Sequence, residues 1–179
     1  MTSPRTTPLH ERHEALGASF TDFGGWLMPV RYSSDLAEHH AVRTAAGLFD
    51  ISHMAEFMVE GPQAGAFLDY ALAGRLSTLA DDQAKYSLLL DVDGGIIDDV
   101  IVYRFGAERY MVVANAGNRD AVAPALSERA PAHLHHAIGI GRRTGLFGIR
   151  NRCDHEPHGS RWSQGPLHMR WFSASRQAL

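Results

Sequence analysis

The chain has 179 residues, a formal net charge of −3, 45% hydrophobic and 21% charged residues. This composition is typical of a globular protein of one or two small domains, and it excludes a chain that is disordered throughout or a collagen-like fibre. The acidic balance excludes a bulk basic surface for nucleic acid, and the single cysteine, Cys153, cannot form an internal disulfide. Nothing resembles a signal peptide or a span of ~18 apolar residues, so we expect a cytoplasmic protein that binds neither nucleic acid nor a membrane.

The first 47 residues predict two helices joined by a loop. Residues 8–17 have apolar side chains at helical spacing between a proline start and a glycine stop. Two glycines and a proline interrupt residues 20–32, which favours a loop there. A second helix is predicted over residues 33–47, with Ser34 or Asp35 as its N-cap and a glycine at its end.

From Ala55 onward the pattern is typical of an α+β fold, in which helices flank an antiparallel sheet. The predicted order is strand 55–61, helix 62–74, strands 86–92, 96–105 and 110–115, and helix 117–130. Gly94 and Gly95 lie in a predicted hairpin and lack the spacing of a dinucleotide-binding loop, so a parallel nucleotide-binding fold is excluded.

Two adjacent aspartates, Asp98 and Asp99, lie in the middle of a predicted strand, where aspartate is rare. Neighbouring residues of a strand point to opposite faces of the sheet, so one carboxylate shares a face with Ile97, Ile101 and Tyr103. We expect that carboxylate to be partly desolvated and available for proton chemistry. The alternative is that both side chains cap backbone amides near a turn.

Residues 131–179 differ in composition from the rest of the chain. They hold seven arginines against two acidic residues and contain no lysine, valine or tyrosine, whereas residues 1–130 hold ten basic against eighteen acidic residues. Hydrophobic periodicity also stops there, so this tail is predicted to be irregular. Three interpretations stay open: a flexible basic arm, a small metal-binding appendage around Cys153, His155 and His158, and out-of-frame translation.

Four segments together resemble a known family. They are TPLHERHEALGASFTDFGGWLMPVRY, EHHAVRTAAGLFDISHM, KYSLLLDVDGGIIDDVIVYR and VVANAGNRD, collinear over about residues 6–130. This run is similar to the aminomethyltransferase (T-protein) of the glycine cleavage system. The resemblance implies the N-terminal part of that family's folate-binding fold, over a region that we place at residues 1–130.

The resemblance also implies an activity. Proteins of this family take an aminomethyl group from the lipoyl arm of H-protein and, with tetrahydrofolate as co-substrate and no metal, release ammonia and 5,10-methylenetetrahydrofolate. The second aspartate of the GGxxDD segment, Asp99 here, matches the family's catalytic carboxylate. The positions that match the family's folate pocket are Met54, Tyr86, Asp99, Ile101, Tyr103 and Asn115.

The second half of the family's folate site, with its RTGYTGE-like motif, has no counterpart after residue 130. We therefore expect a truncated enzyme that is weakly active or inactive by itself. Two other functions stay open, a folate-dependent demethylase and a non-catalytic folate-binding or interaction module.

Overall fold

The structure, a computed structural model, describes residues 3–130 and the backbone of residues 138–140, 145–151 and 171–174. The chain forms two compact units. One contains Met1–His53 and Arg143–Leu179, and the other contains Met54–Arg142. In the described part of the chain, no helix is long and apolar enough to cross a membrane.

The first unit contains two small sheets and two helices. Strands β1 (Arg5–Thr6), β2 (Ser19–Phe23) and β3 (Trp26–Arg31) form one sheet in the order β1-β3-β2, and β1 is parallel to β3. Strand β4 (Ala46–Asp50) pairs with β10 (Gly145–Asn151), which pairs with β11 (Trp171–Ala174). The helices are α1 (His10–Ala15) and α2 (Asp35–Thr44).

The predicted loop over residues 20–32 is wrong, because β2 and β3 form a hairpin there. Gly24 and Gly25 both have positive φ angles, of 61° and 83°, and make its tight turn. Pro29 lies in β3 opposite Phe20, beside a register shift, where a missing N–H is tolerated. The glycines and the proline that predict a break are therefore the residues that shape the hairpin.

Helix α2 is shorter than predicted. Ser34 caps it as expected, since its hydroxyl accepts a hydrogen bond from the amide of Ala37, but the helix ends at Thr44 and not at Gly47. Residues 46–50 instead form β4, whose partner lies about a hundred residues later in the chain. Local sequence carries no signal for so distant a pairing.

The second unit is built on a five-stranded antiparallel sheet in the order β6-β7-β8-β5-β9. The strands are β5 (Ala55–Glu60), β6 (Ala84–Leu90), β7 (Ile96–Gly106), β8 (Arg109–Ala114) and β9 (Ile138–Ile140). The helices are α3 (Ala64–Ala71) and α4 (Arg119–Arg129), with a short 3₁₀ helix at Ala116–Asn118 before α4. The predicted α+β fold and the order of elements from Ala55 to Arg129 are confirmed.

The core of this unit lies between the sheet and its two helices. Alternate residues of the strands, including Phe57, Val102 and Val112, are fully buried against Leu68 of α3 and Leu126 of α4. Burying each such side chain contributes roughly 1.5–3 kcal/mol to folding. This core occupies one face of the sheet, here called the core face, and side chains on the opposite, second face do not belong to it.

Strand β7 contains a bulge near its start. Leu89 pairs with Asp98 and Leu90 pairs with Ile96, so Ile97 has no partner of its own. Ile97 packs against the core as a result. Beyond the bulge, Asp98 to Tyr103 pair with β6 in regular register.

The C-terminal part bears on two further predictions. Pro124 lies inside α4 and not in its first turn, which leaves the predicted kink as the remaining alternative. The tail, predicted to be irregular, includes the three short strands β9, β10 and β11. Backbone pairing along the edges of β5 and β4 forms two of them, and such pairing needs no hydrophobic periodicity.

Candidate functional site

The two aspartates of β7 face opposite sides of the sheet, as their adjacency requires. Asp98 is 2% exposed and lies on the core face together with Val100 and Val102. Asp99 is exposed and shares the second face with Ile101 and Tyr103. The prediction of a partly desolvated carboxylate on the face of Ile101 and Tyr103 is wrong, because Asp99 is exposed there. The buried carboxylate is Asp98, since the bulge turns Ile97 and Asp98 toward the core.

The buried Asp98 carboxylate is held by hydrogen bonds from two asparagines. The backbone amide of Asn115 donates to Oδ2 at 2.8 Å, and the side-chain amides of Asn115 and Asn118 donate to Oδ1 at 2.9 and 2.6 Å. The alternative interpretation, in which both aspartates cap amides near the turn, is wrong, because the turn amides of Asp93 and Gly95 donate to Asp91 and the amide that Asp98 accepts follows β8. The donors from the two asparagines offset the cost of burying the charge.

Asn115 connects the buried aspartate to the exposed one. Its Nδ2 also lies 2.9 Å from Oδ1 of Asp99 and 3.2 Å from the Asp99 carbonyl oxygen. Asn115 comes directly after β8, and β8 lies next to β7 in the sheet. The structure thus brings Asp99 and Asn115, two of the predicted site residues, into direct contact.

The other predicted site residues lie on the same sheet. Tyr86 on β6 pairs with Ile101, and Tyr103 is two residues further along β7. Tyr86 is 62% exposed, whereas Tyr103 is buried. Met54 is half-buried and precedes Ala55, the partner of Ala114 at the end of β8. All six predicted residues therefore lie within one unit, five of them on β6, β7 and the end of β8.

Glu56 is a residue of this face that the sequence analysis missed. Glu56 lies on β5 opposite Val113 of β8, and Val113 pairs in turn with Ile101 of β7. The strand register therefore places Glu56 in the same cross-strand row as Ile101. Burial raises the pKa of Glu56, and the positive charge of Arg119 partly opposes that shift. Its alternation with buried neighbours predicts a solvent-facing residue, and no local signal reveals the half-buried environment.

The first unit contains a second polar cluster that sequence reasoning also missed. The carboxylate of Asp50 accepts hydrogen bonds from the Thr7 hydroxyl at 2.7 Å, from Nε2 of His13 at 2.8 Å and from the amide of Ser52 at 2.9 Å. The Ser52 hydroxyl donates to the same group at 2.5 Å. Burial by itself raises the pKa of Asp50, but the hydrogen bonds from Ser52, His13 and Thr7 outweigh it and lower the pKa.

His53 follows this cluster and is buried. Its ring meets the rings of Phe23 and Trp26 edge-on, at centroid distances of 5.8 and 6.5 Å, and its Nδ1 has no hydrogen-bond partner. Burial lowers the pKa of His53, against a smaller opposite effect of Asp50. The Ser52 hydroxyl donates to Asp50, which is typical of a polar turn before a strand.

Metal binding has no support in the part of the chain that the structure describes, where no group of three potential ligands is clustered. The adjacent histidines of α2, His39 and His40, are among these described residues and belong to no such group. The proposed ligands Cys153, His155 and His158 lie outside the described residues.

Comparisons with known proteins identify the family. The family description "GCVT N-terminal domain" matches residues 9–146. The aminomethyltransferase of Saccharopolyspora erythraea is 57% identical over 129 residues, which are 72% of this chain and 35% of the relative. That of Cutibacterium acnes is 62% identical over 120 residues, which are 67% of this chain and 32% of the relative.

A solved structure agrees with this assignment. The glycine cleavage system aminomethyltransferase T from Bartonella henselae matches with a TM-score of 0.75 and 43% identity, covering 83% of this chain and 41% of that one. The chain spans about a third of the length of the curated relatives it matches. The chain belongs to the aminomethyltransferase family, the T-proteins of the glycine cleavage system.

Proposed function

We propose that this chain carries part of the folate site of an aminomethyltransferase. The complete reaction moves the aminomethyl group from the lipoyl sulfur of H-protein to tetrahydrofolate. The carbon–sulfur bond breaks to leave dihydrolipoyl H-protein, ammonia is released, and the carbon joins two folate nitrogens as 5,10-methylenetetrahydrofolate. The observation that carries the proposal is the placement of Asp99, Asn115, Tyr86, Ile101 and Tyr103 on one sheet of a chain of this family.

Asp99 is the proposed catalytic residue. Its carboxylate is exposed on a central strand, and the amide of Asn115 holds one of its oxygens at 2.9 Å. A carboxylate fixed in this way can accept a proton from the attacking folate nitrogen or stabilise an iminium-like carbon. Proton transfer of this kind contributes about 10²- to 10⁴-fold to a rate.

The remaining positions are proposed to bind the folate. The exposed ring of Tyr86 offers a flat surface for a pterin or aminobenzoyl ring, and Ile101 beside it adds apolar contact. Tyr103 and Met54 complete the proposed apolar lining, and Asn115 meets the polar edge of the pterin. Tetrahydrofolate is the proposed co-substrate, no metal is invoked, and lipoylated H-protein in the cytoplasm is the proposed partner.

A second candidate is a folate-binding module without turnover. The matched segment is about a third of the relatives' length, so a polypeptide of these 179 residues alone holds only part of a pocket of that size. Group transfer depends on holding two reactants in register, and an incomplete pocket costs orders of magnitude in rate. We therefore expect weak or absent turnover from the 179-residue chain by itself.

The test begins with binding of 5-formyltetrahydrofolate, a stable folate, to the 179-residue chain by titration calorimetry. Tyr86→Ala is expected to weaken binding about tenfold, whereas Tyr70→Ala serves as a matched control because Tyr70 is a comparably exposed tyrosine on α3. Absence of binding, or equal losses in the two variants, contradicts the proposed site.

Turnover is then measured with aminomethylated H-protein and tetrahydrofolate. Ordinary turnover by the chain alone contradicts the expectation of weak activity. Binding without turnover supports the module.

A further inference from the structure

Asp98 is a buried charge next to the proposed catalytic residue, and it cannot itself reach a ligand on the second face. It is 2% exposed and lies on the core face of β7. Burying a carboxylate is costly, yet Asp98 has three N–H donors within 2.9 Å, all from Asn115 and Asn118. Two of these three donors belong to Asn115, the residue that also contacts Asp99.

The orientation of the Asn115 side chain follows from these contacts. A carboxamide has two N–H protons, and Nδ2 of Asn115 lies within 3.2 Å of three oxygens, one from Asp98 and two from Asp99. Only the nitrogen can face two carboxylates, so the oxygen of the amide is turned away from both. Asn115 therefore offers a ligand an acceptor and no donor.

Asn118 completes the arrangement from the other side. Its side-chain amide donates to the same Asp98 oxygen that Asn115 contacts, at 2.6 Å, and its backbone amide donates to the Asn115 carbonyl at 3.1 Å. Asn118 lies at the junction of the 3₁₀ helix and α4, which anchors it to the helical layer. Asp98 is thereby fixed between a helix start and the end of β8.

We propose that Asp98 and Asn118 are positioning residues that hold the Asn115 amide against Asp99 and so fix the orientation of the Asp99 carboxylate. The role in catalysis rests on the proposed function, in which Asp99 and Asn115 face the folate. The hydrogen-bonded series Asn118–Asp98–Asn115–Asp99 carries the effect from the buried side of the sheet to the exposed side.

The first experiment needs no ligand. Nuclear magnetic resonance on the 179-residue chain follows hydrogen exchange of the Asn115 side-chain amide and the carboxyl carbon signal of Asp99. Asn118→Ala is expected to speed that exchange about tenfold and to shift the Asp99 signal, since a charge-assisted hydrogen bond is lost. Asn118→Ser, which keeps a good helix N-cap but is too short to reach Asp98, gives the same result if the alanine variant folds poorly.

Asp69→Asn is the matched control. Asp69 also accepts two backbone amides and a hydroxyl, from Leu76 and Ser77, but it lies on α3 and touches none of the site residues named above. It is expected to destabilise the fold without changing the Asn115 or Asp99 signals. Equal effects of the Asn118 and Asp69 variants would show that Asp98 and Asn118 serve only stability, and would overturn the proposal.

The second experiment measures 5-formyltetrahydrofolate binding in a double-mutant cycle. Asn118→Ala and Asn115→Ala are each expected to weaken binding several-fold, and the double variant is expected to bind no more weakly than Asn115→Ala alone. Additive losses overturn the positioning role. If the unmodified chain binds no folate, the proposed function fails, while the exchange experiment still decides whether Asp98 and Asn118 orient Asp99.

Discussion

Nε2 of His13 lies 2.8 Å from Oδ2 of Asp50, and the two residues are 37 positions apart in the chain. Because hydrogen bonds hold the pKa of Asp50 low, its carboxylate is an acceptor and His13 must donate from Nε2. The other ring nitrogen, Nδ1, forms a hydrogen bond with the Tyr32 hydroxyl at 2.7 Å. One buried carboxylate thus joins α1, the end of β3 and the end of β4.

We expect Asp50→Asn to lower the free energy of unfolding by about 2–3 kcal/mol, because an amide cannot satisfy the donors that converge there. A lowered folded-state pKa stabilises the fold above the unfolded value, near pH 4, and that stability is lost as the pH falls through the folded pKa. Urea unfolding at pH 7 and at pH 3 measures both effects. Asp93→Asn, in an exposed turn, is the control, and an equal change in the two variants contradicts the prediction.

His53 predicts a second pH effect at a higher pH. Its folded pKa is lowered, so the unfolded chain binds the proton more readily, and stability falls as the pH drops below about 6.5. His53→Phe is expected to abolish this loss between pH 7 and 5, since it removes both the titration and the unpartnered Nδ1. Thermal unfolding across that range measures the effect, and His40→Gln, an exposed histidine, is expected to leave it intact.

Glu56 is expected to show the opposite sign. Burial raises its folded pKa, so its contribution to stability is present below the unfolded pKa, near 4.3, and is lost as the pH rises through the folded value. Glu56→Gln is therefore expected to match the unmodified chain at pH 4 and to exceed it in stability at pH 7. Unfolding midpoints at the two pH values test this, with Glu108→Gln as the exposed control. A stabilisation that is independent of pH would contradict it.

Asp99 is expected to matter more for turnover than for binding. In a chimera that joins residues 1–130 to the remaining part of a full-length relative, Asp99→Asn is expected to lower kcat at least about 100-fold and to change the folate Kd less than about threefold. Comparable losses in both would assign Asp99 a binding role. Asp93→Asn, an exposed aspartate of the neighbouring turn, is the matched control.

The sequence predicts the second unit well because its signals are local. Alternating apolar residues in β5 and short apolar runs in β6, β7 and β8 predict strands, and the turn at residues 93–95 joins two of them. The adjacency of Asp98 and Asp99 also predicts that they face opposite sides of the sheet. Which of the two is buried depends on the bulge at Ile97, which the sequence pattern does not reveal.

In the first unit the two helices are predicted, but the strands are not, for a physical reason. Its contacts join residues far apart in sequence, such as the pairing of β4 with β10 and the hydrogen bonds from Thr7 and His13 to Asp50. The position of Glu56 on the second face likewise follows from cross-strand register and not from its neighbours in the sequence. Periodicity and turn chemistry describe neighbours in the chain, so neither detects such contacts.

The bulge at Ile97 also separates the hairpin turn from the rest of β7. From Asp98 onward β7 pairs in register with β6, and from Ile101 onward it also pairs with β8. This pairing does not depend on the length of the turn that precedes it. A residue inserted or deleted between Asp91 and Gly95 can be absorbed at the unpaired position, without rotating Asp99 toward the core. We therefore expect a change in length to be tolerated at this turn and not between Asp99 and Tyr103, where one extra residue would exchange the two faces of the sheet.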